Sequence, residues 1–515
     1  MALSTRKEKI KPIIDFKLGF IPRNDKDKAM DRRLVGRHSE LGTLQRILDS
    51  KEPAFVAVYG RRRVGKTFLI REGLKTNLRF ELTGTKDGST ADQLENFSLN
   101  LAKASKGKFP AKGVPKSWRE AFSELEQWLE TLPSNQKHVV FFDELPWLAS
   151  ARSGFLEKLD YFWNTWGNQQ TNLILVVCGS AAAWMISKFL KAKGGLHNRV
   201  THRIRLLPFD LCETREFLQS RSAQLNDQQI TELYMAFGGV PLYLEQVQKG
   251  ESAKQAIDRI CFSKDGFLRN EFSLLYTALF DSADRHMEIV RALASKNCGL
   301  TRTDIVQTTR QTQSGRLSAI LEELIECGFV KRCHPYGHRV RETIFRLGDE
   351  YSLFYQNWIQ GWRKGEAGSW QKARGTPKWR TWAGLAFENL CMQHTGQIKA
   401  ALGIAGVETE ESAWRYTPAK DSGDNGAQID MLIDRADACI NLCEMKFTEG
   451  EFVIDERYAR KLRERRETFR RITGTPKALF NTLVTTNGVK QNPYALELVD
   501  AEVKMKSLFA PSTNL

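Results

Sequence analysis

The chain has 515 residues, 41% of them hydrophobic and 27% charged, with a formal net charge of +16. That length exceeds one ordinary core, so roughly two to four domains are expected, and the composition excludes a disordered chain. No stretch nears the roughly 20 apolar residues of a membrane-spanning helix, and the positive balance points to a polyanion such as nucleic acid rather than a membrane.

Residues 1–30 mix Lys, Arg and Asp without periodicity and read as a basic arm. Charges with no apolar stretch behind them are not a secretion signal. Nine cysteines, among them Cys178 and Cys443 in apolar surroundings, read as reduced thiols of a cytoplasmic protein. Cys327, Cys333 and His334 lack a second ligand pair, which argues against zinc.

After a helix marked by Leu44, Ile47 and Leu48 comes the segment on which the rest of the chain is organised. Ala54–Tyr59 is a short apolar, β-branched run suited to a buried parallel strand. Gly60, Arg61, Arg62, Arg63, Val64, Gly65, Lys66 and Thr67 then match GxxxxGK[ST], and Phe68 opens a helical stretch to Lys75. Glycines let backbone N–H groups curl around phosphate oxygens, and the helix start adds partial positive charge. Lys66 is placed to meet the β- and γ-phosphates and the Thr67 hydroxyl to hold Mg²⁺, so ATP with Mg²⁺ is the expected cofactor.

Arg79–Thr83 reads as a strand, Lys103–Ser117 as a break and Trp118–Leu129 as an aromatic helix. His138–Phe142 is a second buried-strand run that delivers Asp143 and Glu144 at its end. Such a pair suits a Mg²⁺-binding carboxylate (Asp143) and a group that orients the attacking water (Glu144). Thr171–Val177 is a third strand, and Ser180 beyond it is a candidate sensor of the γ-phosphate. Strands alternating with helices imply an α/β fold with a parallel sheet and ligand at the strand C-termini.

The order VGRHSEL, YGRRRVGKT, FFDE, CGS, RIRLLPFD and GGVPLYL, over about Arg33–Leu244, resembles the archaeal-type ATPases, a branch of the AAA+/STAND-like P-loop proteins. The resemblance implies a helical lid carrying Gly238-Gly239-Val240-Pro241, a base-holding segment at Val35 and Gly36, and a sensor or finger role for Arg199. Relatives that act as rings leave a homo-oligomer open.

Met287–Ala294, Leu300–Ile305 and Ser314–Cys327 read as helices, followed by a two-strand ribbon turning at Tyr336-Gly337. Three helices and a hairpin describe a winged helix, with Arg310, Gln311, Arg316, Lys331, Arg332 and Arg339 as candidate DNA contacts. Tyr351–Trp362 is an aromatic stripe expected to form an interdomain core.

Beyond Thr381, one strand carries Asp430, the next ends in Glu444-Met445-Lys446, and Glu388 lies on a helix. Two carboxylates beside a lysine can bind Mg²⁺ and orient water. The pattern resembles the PD-(D/E)XK nucleases, although Ile429 stands where the motif has proline and Glu502-Val503-Lys504 repeats E-x-K without an upstream acid. The resemblance implies Asp430, Glu444 and Lys446 as catalytic and Glu388 as an added metal ligand. The basic helix Arg457–Arg471 is a candidate track for a phosphate backbone.

The expected organisation is an arm (1–30), P-loop ATPase core (31–210), helical lid (211–283), winged helix (284–350), aromatic linker (351–380) and restriction-endonuclease-like α/β domain (381–515). The expected function is an ATP-regulated, Mg²⁺-dependent nuclease acting on DNA. Its alternatives are a nucleotide-switched sensor with an inactive nuclease-like domain, or an ATPase partner of a mobile-element or defence protein.

Overall fold

The computed structural model describes residues 34–111, 113–150, 152–190, 198–296, 299–309, 311–337, 343–362, 369–418 and 425–511. The basic arm therefore lies outside the described residues. From Leu34 to Leu515 the contacts group the chain into one unit.

Five parallel strands form the first sheet: β1 (Ala54–Tyr59), β2 (Leu78–Thr83), β3 (His138–Asp143), β4 (Leu173–Gly179) and β5 (His202–Arg205), in the order β2-β3-β4-β1-β5. β3 and β4 are buried along their whole length, as their unbroken apolar runs require. Helices cover both faces. Phe55, Phe142, Phe122 and Trp163 pack on one, and Val56, Val58, Leu69 and Ile70 on the other. Each large side chain so buried contributes about 1.5–3 kcal/mol.

β4 inserts between β1 and β3, so the loop after β1 and the carboxylates after β3 flank a crevice with the end of β4 at its centre. Order, not sequence proximity, thus gathers three separate segments at one sheet edge. The helix after β1 begins at Lys66, two residues earlier than its apolar pattern predicts, because Gly65 in a left-handed conformation (φ 90°) turns the chain directly into it.

The GGVP element packs against the loop after β5. The Phe209 amide donates to Gly239 O at 2.7 Å, and a Cβ on Gly239 would stand 1.8 Å from Phe209 O. Gly239→Ala is therefore expected to displace backbone and to destabilise the protein by about 1–3 kcal/mol or more, measured as a lower urea midpoint at unchanged m-value.

Helices Ala283–Ala294, Arg302–Thr308 and Gly315–Glu326 support a small antiparallel sheet in the order β6-β8-β7, from β6 (Leu300–Thr301), β7 (Val330–Cys333) and β8 (Ile344–Leu347). The β7–β8 connection does not stand free: Pro335 bridges to Ala413, the Tyr336 amide donates to Ala413 O at 2.9 Å, and its ring meets Phe469. The aromatic stripe packs inward. Tyr351, Phe354 and Trp358 are buried, Phe354 and Trp358 against Trp370 and Trp382.

The second large sheet runs β13-β12-β11-β10-β9, from β9 (Thr409–Tyr416), β10 (Ala427–Arg435), β11 (Cys439–Lys446), β12 (Ala478–Thr485) and β13 (Ala501–Lys504). β9, β10 and β11 are antiparallel neighbours, whereas β11, β12 and β13 are parallel. Helix Pro377–Gln393 packs against β11 and helix Glu456–Thr473 against β10 and β12. Among the described residues no helix is long and apolar enough to cross a membrane.

Candidate nucleotide and carboxylate sites

Gly60 has φ 153°, and a Cβ there would lie 2.2 Å from Leu206 O, so only glycine lets the chain leave β1 beside the segment after β5. Lys66 is buried, its Nζ donating to Arg61 O at 3.0 Å across the loop. Thr67 Oγ1 donates to Asp143 Oδ2 at 2.7 Å, which joins the loop after β1 to the end of β3. A hydroxyl and a carboxylate so juxtaposed are hard oxygen donors of the kind Mg²⁺ takes. Phe68 follows on the same helix, half-buried.

Glu144 adopts a left-handed backbone (φ 49°, ψ 52°), uncommon for a side-chain-bearing residue and typical of functional sites. Its Oε2 accepts from the Ser180 hydroxyl at 2.8 Å and the Ser180 amide at 3.1 Å. Ser180, buried at the end of the inserted strand β4, thus holds the Glu144 carboxylate beside the loop.

The three loop arginines turn away from the phosphate cradle. Arg61 is buried against Asp349 and lies over the Phe329 ring; Arg63 Nε meets Glu271 Oε1 at 2.9 Å; Arg62 stacks on Trp147. What Arg61, Arg62, Arg63 and Val64 offer a ligand is backbone N–H. Val35 and Gly36 lie beside Arg37, whose guanidinium donates to Val64 O at 2.9 Å and covers the Phe209 ring, while its amide donates to Glu213 Oε1 at 2.6 Å. The candidate base-holding segment is therefore clasped between the loop and helix Leu211–Ser220. Sequence reading missed Arg37 and Glu213, although Arg37 stands in the quoted VGRHSEL.

Arg199 is a correction. Thr201 pairs with Phe55, and parallel β5 runs beside β1 up to Tyr59↔Arg205. Arg199 is thus level with the start of β1, about 13 Å of strand or more from the loop that follows Tyr59. It is exposed there and cannot serve the nucleotide site of its own chain.

In the second sheet, one step past the pair Met431↔Cys443, Asp430 lies across from Glu444, as the antiparallel expectation required. Glu444 is buried and fully engaged: Lys446 Nζ stands 2.5 Å from Oε1, the Tyr458 hydroxyl donates to Oε1 at 2.7 Å, and Arg465 pairs with Oε2. Burial pushes its carboxyl up, but Arg465, Lys446 and Tyr458 outweigh that and hold it at about 2. Glu388, from helix Pro377–Gln393, is pushed up to about 8 by burial and by Asp430. Asp430 is itself raised by burial and by Glu444.

All four predicted groups therefore share one neighbourhood, reached from two strands and a helix. Among the described residues, however, no three His, Cys, Asp or Glu side chains converge as a metal-holding group. The physical reason is that Glu444 spends its oxygens on the chain's own cations. Asp430 and Glu388, each destabilised as an anion, are the carboxylates that would hold a divalent ion there. The second E-x-K is structural, with Glu502 accepting from the Val489 amide at 2.9 Å.

Helix Glu456–Thr473 buries Ala459, Leu462 and Phe469 and turns Tyr458 and Arg465 to Glu444. Arg457 and Lys461 are exposed along a groove of about 340 Å³ bordered by Tyr458. Of the candidate DNA contacts in the middle module, Arg310 and Arg339 lie outside the described residues. Gln311 is buried, donating to Glu288, and half-buried Lys331 donates its ammonium to Met392 O at 3.1 Å beside the cleft that Arg346 also lines. Arg316 and Arg332 are exposed, donating to Ser282 Oγ and pairing with Glu322 respectively.

The family model described as an ATPase domain predominantly from Archaea matches residues 34–247. An uncharacterized protein of Methanocaldococcus jannaschii is 25% identical over 329 residues, 63% of this chain and 68% of that protein. Among solved structures, a Walker-type ATPase of Pyrococcus abyssi aligns at 20% identity and TM-score 0.49, covering 64% of this chain and 99% of its own. The ORC2 protein of Aeropyrum pernix, in ADPNP–ADP complexes, aligns at 14% identity and TM-score 0.42, covering 65% and 98%. The matched segment 34–247 holds the phosphate loop, the carboxylate pair and the GGVP element, and over that span the chain is similar to this archaeal-type ATPase domain.

Proposed function

We propose that the chain is a cytoplasmic, ATP-hydrolysing protein that acts on nucleic acid. The observation that carries the ATPase half is the Thr67–Asp143 contact beside a Glu144 held by Ser180. Lys66 and the loop amides bind the phosphates, and Val35 and Gly36 border the base. Thr67 and Asp143 hold Mg²⁺, which when bound neutralises charge on the phosphates. Glu144 orients the attacking water, and a γ-phosphate drawing on the Ser180 hydroxyl would free its carboxylate to do so. Arg199, remote from its own nucleotide, is left for a neighbouring subunit if the chain assembles into a homo-oligomer.

Beyond the ATPase core, a lid spans 211–283, a winged helix 284–350, a linker 351–380 and a nuclease-like domain 381–515. Three helices with a hairpin support the winged helix. The approach of Asp430, Glu444, Lys446 and Glu388 supports a site for a phosphodiester and Mg²⁺, with the exposed cations of helix Glu456–Thr473 as the DNA backbone track. A second reading has its own support: with Glu444 neutralised by Arg465 and Lys446, the domain recognises nucleic acid or a protein partner without cutting it.

One experiment separates these. Lys66→Ala is expected to abolish ATP turnover, and Lys446→Ala to abolish Mg²⁺-dependent degradation of DNA while ATP turnover survives. Degradation undiminished in Lys446→Ala would remove the proposed pocket, and no degradation by the unaltered protein would leave the recognition reading.

A further inference from the structure

Arg346 sits on β8, in the middle module, yet its surroundings belong to the C-terminal domain. The side chain is 9% exposed. Its Nε is buried without a hydrogen-bond partner, and Nη1 reaches the sulfur of Met392 at 3.4 Å, a weak acceptor. It forms no ion pair among the described residues, although its charge bears on both Glu388 and Asp430. Leaving a buried guanidinium so poorly supplied with acceptors is unfavourable.

Arg61, Arg302 and Arg374 also leave Nε without a partner, but their other guanidinium nitrogens reach oxygen acceptors. Arg61 has Asp349, Arg465 has Glu444, Arg37 has Val64 O and Lys331 has Met392 O. Arg346 differs also in what it borders. It lines a cleft of about 990 Å³ that runs from β5 and the loop Leu207–Asp210 past β7 to Asp430. It also lines a small cavity of about 40 Å³ bordered by Glu388 and Asn389. The unpaired fork therefore shares one cavity with Glu388 and another with Asp430, the second large enough for a few nucleotides.

We propose that Arg346 is the phosphate-binding residue of the C-terminal site, supplied by the middle module: its guanidinium takes the non-bridging oxygens of a nucleic-acid phosphodiester seated in the cleft against Asp430. A planar guanidinium presents two parallel N–H donors to such oxygens, and a charge-assisted pair of this kind is stronger out of water. Its cation also offsets the repulsion that Glu388 and Asp430 would exert on that phosphate. The site is then composite, incomplete without β8, which gives the docking of Pro335 and Tyr336 on β9 a purpose: it fixes β8 against the second sheet. This rests on the reading of the C-terminal domain as a phosphodiester-handling one.

The test uses the full chain and a fluorescent DNA duplex with a single-stranded tail. Binding is measured with Ca²⁺ over a salt series and cleavage with Mg²⁺, for the unaltered protein, Arg346→Ala and Arg346→Lys. Arg346→Ala is expected to weaken binding about tenfold, to lower the salt slope by about one and to raise KM more than it lowers kcat, at an unchanged melting temperature. Arg346→Lys restores part of the affinity, since a point charge replaces the fork. If the unaltered protein binds but does not cut, the nuclease reading fails while the binding arm still decides the role of Arg346. No DNA binding by the unaltered protein, or identical affinity and salt slope in Arg346→Ala, overturns the proposal. So does a loss that tracks the melting temperature and is not rescued by lysine, which assigns Arg346 to balancing carboxylates.

Discussion

A Glu144→Gln variant is expected to bind ATP about as tightly as the unaltered protein and to turn it over about 10²–10⁴-fold more slowly, the usual worth of a positioned general base. The substitution is nearly isosteric, and the amide oxygen can still accept from the Ser180 hydroxyl and amide that hold the carboxylate at 2.8 and 3.1 Å. The strained left-handed turn at residue 144 is a property of the backbone and should survive. Steady-state hydrolysis beside equilibrium binding of a labelled nucleotide reads both quantities. Hydrolysis within a few-fold of normal would take Glu144 out of the reaction and leave its placement to strand geometry alone. The parallel change Ser180→Ala removes one of its two anchors and should give a smaller loss in the same direction.

Asp349→Ala is expected to cost about 3–5 kcal/mol of stability, because it leaves the Arg61 guanidinium buried and uncompensated. Asp349 is buried, pairs with Arg61, and caps the helix Glu350–Phe354 by accepting from the Ser352 amide at 2.8 Å. Loss of the cap alone accounts for only about 1 kcal/mol, so the size of the effect separates the two roles. Arg61 O also receives the Lys66 ammonium, so nucleotide affinity should fall together with stability. A Ser352→Ala control removes the hydroxyl that donates to Asp349 and meets the Tyr276 hydroxyl, and should cost only about 1–3 kcal/mol because Arg61 keeps its carboxylate. A urea midpoint within experimental error of normal for Asp349→Ala would show that water, not Asp349, satisfies Arg61.

The nucleotide site was legible because its parts are short contiguous runs. The loop before Lys66, the carboxylates after an apolar strand and the serine after another each announce themselves within a few residues. The resemblance read over Arg33–Leu244 agrees with the family match over 34–247. Strand order supplied what single runs could not, and it moved Arg199 to the wrong end of the sheet. Pairings across long separations left no local mark: Arg61 and Asp349 are 288 residues apart. In the C-terminal domain the strands bearing Asp430 and Glu444 were visible as apolar runs, whereas β9 and β13 were not. β9 carries Glu410 and Glu411 near its start and buries only the short run Ser412, Ala413 and Trp414, too brief an apolar stretch to mark a strand. The engagement of Glu444 by Tyr458 and Arg465 was equally hidden, since on a helix this basic every cation looks like solvated surface.

Two loop arginines pair with carboxylates outside the family-matched segment. Glu271 and Asp349 both lie beyond residue 247, so residues 34–247 do not carry their own electrostatic closure. A graft of this segment onto an unrelated tail would leave two loop arginines without their carboxylates. Expressed alone, the segment 34–247 would keep Arg61 and Arg63 without the carboxylates that neutralise them.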